Sequence, residues 1–160
     1  MNKILKCLPA AFLISAFFFS HFAFAKEPPL APDFKLSNLN KTQVSLSSYK
    51  NKKPVLLFFW TTWCPFCRKE LKVLADMQPQ LLKDGVEALA INVGEPQPKV
   101  ESAIKSYNIK LQVLLDKDTS VAQSYGVVGV PTYILIDKKG YNQFESHTFP
   151  SEEYKKLITQ

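Results

Sequence analysis

Two hydrophobic patterns alternate along the chain. From Pro54 to Trp60 the residues are continuously apolar, a run of strand length that predicts a strand covered on both faces. From Pro65 to Lys83 the positions Leu71, Leu74, Leu81 and Leu82 mark the buried side of a helix; Pro79 is expected to kink or split it, and Asp84-Gly85 to stop it. A strand over Val86–Val93 and a helix over Pro98–Tyr107 follow, with Val100, Ala103, Ile104 and Tyr107 on one face. Next come a strand at Gln112–Leu115 and a short helix capped by Asp118 and ended by Gly126. Thr132–Ile136 and Asn142–Ser146 flank the turn Asp137-Lys138-Lys139-Gly140 as a hairpin, and Pro150-Ser151 opens a last helix through Ile158. Near the start, Phe34–Leu36 and Gln43–Leu46 alternate around a polar turn and predict another hairpin. Residues 26–32 before it form a Pro-rich lead-in that cannot be helical. Strands alternating with helices, with hairpins at both ends, predict an α/β domain with a mixed sheet and helices on both faces.

The first 25 residues stand apart from that pattern. Lys3 and Lys6 precede an apolar stretch from Leu8 to Phe19, which ends in Ala23-Phe24-Ala25. A positive start, an apolar core and a small-x-small end predict a secretory signal peptide cleaved after Ala25. The alternative is a retained membrane anchor, since a span needs about 17–25 residues and 7–25 carry no charge. The expected location is periplasmic or otherwise extracytoplasmic. Residues 33–160 are then a single domain, in keeping with a chain of 160 residues. Lys3 and Lys6 also account for part of the formal charge of +6, so the chain from residue 26 carries +4. Its lysines are scattered and Arg68 is its one arginine, which gives no basic stripe of the kind that binds nucleic acid.

Beyond Cys7 the chain has two cysteines, Cys64 and Cys67. A bridge closing so short a loop constrains little, so chemistry explains the pair better than architecture. A zinc site would need further Cys or His at ligand spacing, and after the leader there is only His147, read as a plain surface residue. The pair lies in Trp63-Cys64-Pro65-Phe66-Cys67, between the apolar strand and the long helix. Pro65 suits the first helical position, which makes Cys64 the cap. Its sulfur then faces the free N–H groups and the positive end of the helix dipole, an environment that favours a thiolate. Cys67, one turn on, is expected to be more buried and less acidic. Cys64 therefore attacks, and Cys67 resolves the mixed disulfide.

Several motifs in order resemble one known family. Trp-Cys-x-x-Cys after an apolar strand resembles the thioredoxin-fold signature, and Gly129-Val130-Pro131-Thr132 before a strand resembles that fold's cis-proline loop. Ala31-Pro32-Asp33-Phe34, the run Phe59–Glu70, Asn92-Val93-Gly94-Glu95 and Ile136-Asp137-x-x-Gly140 are similar to the TlpA/ResA/CcmG branch, across about residues 31–158. The resemblance implies a thioredoxin fold: a mixed central sheet flanked by helices, with an N-terminal β-hairpin extension. It implies an extracytoplasmic thiol–disulfide oxidoreductase, usually a reductant, with no bound cofactor and a redox-active Cys64–Cys67 disulfide. It also implies oxidised partner proteins such as apocytochrome c, and re-reduction by a membrane thiol donor of the CcdA/DsbD type.

By the same resemblance Pro131 packs beside the disulfide and Val130 offers its backbone to an extended substrate strand. Glu70, on the same helix face as Cys67, relays protons, unless it is an ordinary surface charge. Trp63 shields the pair and, with Pro65 and Phe66, belongs to the substrate-facing loop. Two features depart from thioredoxin itself. Phe58 stands where its central strand carries a buried acid, and Pro65-Phe66 is neither the Gly-Pro of thioredoxin nor the Pro-His of DsbA. Redox direction therefore stays open to a DsbA-like oxidase, although no helical insert fits between Val93 and Gly129. A Sco-like copper module would need one more residue between the cysteines. A peroxiredoxin shares Thr61 three residues before Cys64 but has proline where Leu57 stands.

Overall fold

The computed structural model describes residues 27–159, so the predicted signal segment lies outside the described residues. Seven strands, β1 (Lys35–Asn38), β2 (Gln43–Ser45), β3 (Val55–Trp60), β4 (Glu87–Val93), β5 (Gln112–Asp116), β6 (Thr132–Ile136) and β7 (Asn142–Ser146), form one sheet in the order β2-β1-β5-β4-β3-β6-β7. Four helices accompany them: α1 (Pro65–Lys83), α2 (Gln97–Ser106), α3 (Ser120–Ser124) and α4 (Ser151–Ile158). β3, β4 and β5 run parallel, while β6 and β7 add antiparallel on one side and β1 and β2 on the other. This is the predicted mixed α/β sheet, and the N-terminal hairpin extends it by pairing β1 with β5.

Every residue of β3 is buried. Leu56, Phe58 and Trp60 face a core shared with Leu71, Leu74 and Leu81 of α1, Val100 of α2 and Tyr154 of α4. Val55, Leu57 and Phe59 face the opposite core, with Phe34, Leu46, and Val121 and Ala122 of α3. The two-residue period of a strand thus feeds both layers at once. The lead-in is tied to the β6–β7 turn, with Ala31 N–H donating to Gly140 and Asn142 N–H to Pro29.

Two expectations need correction. Helix α1 is not split at Pro79; it runs unbroken to Lys83. Proline removes one helical hydrogen bond, but Leu71 and Leu74 before it and Leu81 after it are all fully buried against the sheet and hold both halves in line. Asp118 is not the cap residue of α3. Thr119 is, with left-handed φ of 64°, and Asp118 instead accepts from the Ser120 N–H and hydroxyl. The helix amides of Val121 and Ala122 are met by the buried Asp116 carboxylate at the end of β5, at 3.2 and 2.8 Å.

The topology brings three segments to one edge of the sheet. The carboxyl ends of parallel β3 and β4 open there, into residues 61–64 and 94–95. Because β6 is antiparallel to β3, its beginning lies at the same edge and delivers the loop that ends in Val130-Pro131. Among the described residues no helix is long and apolar enough to cross a membrane.

Candidate active site

Cys64 caps α1, and Pro65 occupies its first turn. The Cys64 Sγ accepts the backbone N–H of Cys67 at 3.2 Å, a donor that every helix start leaves without an internal partner. On its other side the Cys64 thiol donates to the Val130 carbonyl at 3.6 Å. The Val130–Pro131 peptide is cis. Cys64 is 5% exposed and Cys67 0%; both are free thiols. Burial, reinforced by the neighbouring Cys64 sulfur, pushes the Cys67 thiol up to about 12. The two thiols are therefore unequal: Cys64 lies at the edge between one donor and one acceptor, and Cys67 is fully enclosed with its pKa raised.

Cys67 belongs to the apolar cluster that also holds Phe58 and Tyr133. Phe58 stacks on Tyr133 with ring centroids 4.5 Å apart. The Tyr133 hydroxyl donates to the Glu70 backbone carbonyl at 3.1 Å. Burial, then the Glu70 charge, pushes the Tyr133 phenol far above its ordinary range. Glu70 is half-buried, and its carboxylate accepts the Phe149 N–H at 3.1 Å, which fastens the start of α1 to the segment before α4. It is thus neither a solvated surface charge nor hydrogen-bonded to a cysteine.

Trp63 and Phe66 lie on the outside, 69% and 67% exposed, and Val128 across from them is 100% exposed. Trp63 flanks Cys64 and lines grooves on both sides of it. Pro65, Val130 and Pro131 complete the rim.

Two residues of this edge had no assigned role in the sequence reading. Glu95, 6% exposed, accepts four donors: Thr62 N–H (2.7 Å) and Asn92 Nδ2 (2.8 Å) on Oε2, Thr62 Oγ1 (2.7 Å) and Lys99 Nζ (2.8 Å) on Oε1. Burial acts to raise its pKa, but the hydrogen bonds from Lys99, Asn92 and Thr62 outweigh it and hold the carboxyl below its ordinary value. Glu95 was visible only as the end of an Asn-Val-Gly-Glu motif after a strand. His147 is exposed but not idle: its Nδ1 lies 2.7 Å from the Pro131 carbonyl oxygen. No sequence signal marked it. Among the described residues no three His, Cys, Asp or Glu side chains come together as a metal site.

A thiol capping a helix beside a backbone edge, paired with a more deeply enclosed one, is an arrangement that dithiol–disulfide exchange can use. Residues 29–141 match the model of the AhpC/TSA family. The chain belongs to that family. It is 41% identical over 110 residues to a thiol-disulfide oxidoreductase ResA of Geobacillus thermodenitrificans; that match covers 69% of this chain and 63% of the relative, so it spans less than two thirds of the relative's own length. A ResA of Bacillus thuringiensis subsp. konkukian is 35% identical over 133 residues, covering 81% of this chain and 76% of the other. Among solved structures, StoA of Bacillus subtilis superposes with a TM-score of 0.68 at 25% identity, covering 83% of this chain and all of StoA. The fold is the thioredoxin fold, with the N-terminal hairpin as its extension.

Proposed function

We propose that the protein reduces disulfides of other proteins by dithiol–disulfide exchange. The observation that carries this reading is the asymmetry of the pair, with Cys64 at the rim accepting the Cys67 amide and Cys67 enclosed and protonated. The Cys64 thiolate attacks one sulfur of the substrate disulfide. A Cys64–substrate bond forms, and the other substrate sulfur leaves and takes up a proton. Cys67 then loses its proton and attacks the Cys64 sulfur, which releases the second substrate thiol. Two electrons pass to the substrate, and the protein is left with a Cys64–Cys67 disulfide. Val130, whose carbonyl already meets Cys64, is the edge along which an extended substrate strand lies. Trp63, Phe66 and Val128 form the exposed apolar rim that receives it.

In this reading the protein is exported by its first 25 residues and works outside the cytoplasm. Its substrates include apocytochrome c, and a membrane thiol donor of the CcdA/DsbD type restores the dithiol. Support comes from the leader pattern and from the similarity to ResA proteins.

Equilibration with glutathione or thioredoxin buffers tests the direction. A potential near thioredoxin's, about −270 mV, is expected; one near DsbA's, about −120 mV, makes the protein an oxidant and overturns the proposal. A Cys67→Ser variant should accumulate mixed disulfides with substrate proteins through Cys64. Their absence would refute the assigned order of attack.

A further inference from the structure

The two sides of Cys64 differ in charge. Toward the loop before β6, the groove beside Cys64 is walled by Trp63, Val127, Val128 and Val130, and its one acid, Glu95, is neutralised by Lys99. Toward α1, the groove is lined by Trp63, Cys64, Arg68, Lys69, Lys72 and Tyr107. Three cations therefore line the approach to the nucleophile. Arg68 and Lys72 stand one turn apart along α1. The Arg68 guanidinium is held over the Tyr107 ring at 4.9 Å, and the Lys69 ammonium lies 5.9 Å from the Phe66 ring centroid.

Among the described residues none of the three forms an ion pair. The ion pairs among the described residues are Lys53–Glu87 and Lys99–Glu95. Glu70, the acid nearest in sequence, is engaged by the Phe149 N–H. Asp76 faces Arg68 and Lys72 farther along α1 without forming an ion pair with either. The groove thus carries more positive than negative charge at the point where a substrate cysteine must arrive.

The geometry points to a substrate preference. This groove selects oxidised protein segments that carry aspartate or glutamate within two or three residues of the reactive cysteine. The inference rests on the disulfide-reductase reading above. A strand laid along Val130 places the residues on one side of its cysteine over the apolar groove and those on the other side over Arg68, Lys69 and Lys72. Complementary charge there speeds encounter and fixes orientation. Like charge is repelled.

Three disulfide-bonded peptides, identical except for Asp, Asn or Lys flanking the cysteine, test this. Their kcat/KM values with the full-length protein are divided by their rate constants with dithiothreitol, which removes the intrinsic effect of a neighbouring charge on the sulfur. The expected order is Asp above Asn above Lys, with about tenfold between the extremes at low ionic strength, the lower end of steering by a charged cleft. The spread should collapse at high salt, and an Arg68→Glu/Lys72→Glu variant should reverse the order. Equal rates for the Asp and Lys peptides, or an order that survives in the variant, overturn the groove preference alone. Failure to reduce even the Asn peptide overturns the reductase reading and the preference with it.

Discussion

Replacing Glu95 by Gln changes one atom and tests how the active-site loop is held. The carboxylate serves four donors on two oxygens and no acceptor at all. A glutamine must place an NH2 group against two of them. Placed at Oε2 it could be met by a flipped Asn92 amide, whose Oδ1 is buried without a partner, but it opposes the Thr62 backbone N–H, which cannot turn away. Placed at Oε1 it meets the Thr62 hydroxyl, which can rotate to accept, and Lys99, whose side chain is 55% exposed and can swing into water. The second arrangement is the cheaper. It forfeits a largely solvated ion pair, worth about 0–1 kcal/mol. The remaining three hydrogen bonds lose their charge assistance, about 1 kcal/mol each. The expected loss is therefore about 3 kcal/mol, or roughly 10 °C in Tm for a domain of this size.

Calorimetry of the reduced protein across pH measures the effect. Because the folded carboxyl is held below its ordinary 4.5, its stabilisation is complete above that value and disappears as pH falls through the folded value. The gap between wild type and variant should be full at neutral pH and narrow below about pH 4.5. A gap that stays constant into that acid range would show that packing, not charge, is at stake. A shift under about 2 °C at neutral pH would mean that the four donors find other partners without cost.

Two further expectations concern the thiols and their rim. At mildly alkaline pH iodoacetamide should modify Cys64 alone, because burial and the adjacent sulfur hold Cys67 protonated up to about 12; labelling of both thiols at similar rates, followed by mass spectrometry, would contradict the assigned roles. His147→Ala removes the hydrogen bond to the Pro131 carbonyl, and protein-disulfide reduction should fall by about two- to tenfold, the worth of one such bond. The rate of Cys64 alkylation should stay as in wild type, and a matching fall in both would place His147 in general stability instead of strand recognition.

What the sequence could disclose follows from how local each feature is. The β3 run from Val55 to Trp60, the proline and cysteine that start α1, and the stop at Asp84-Gly85 depend on neighbours a few residues away, and the elements form there. Pro79 misled because its local cost was legible and the three buried leucines that offset it only act once the helix lies on the sheet. Glu95 and Thr62 are 33 residues apart, Phe149 and Glu70 are 79, and His147 and Pro131 are 16. Nothing in the periodicity of any single segment announces those meetings. They arise from how the strands and loops come together at one edge of the sheet, and a polar residue there acquires its partners only from what the fold places opposite it.

The same edge accounts for a departure that the sequence displayed without explaining. Phe58 occupies the position where thioredoxin has a buried acid, and in this fold it is stacked on Tyr133 beneath the cysteines. An acid there would sit among Leu56, Trp60 and Leu135, where a charge is costly to bury. The acids flanking this edge lie farther out, Glu70 on one side and Glu95 on the other, each tied to a backbone N–H. Cys67 is the more deeply enclosed of the two thiols, and burial above all, then the Cys64 sulfur, raises its pKa; in the proposed mechanism the Cys64 contribution is removed once Cys64 is taken into a mixed disulfide. In the proposed mechanism burial would set the order of events, with attack at Cys64 and resolution waiting for the proton of the enclosed thiol to leave.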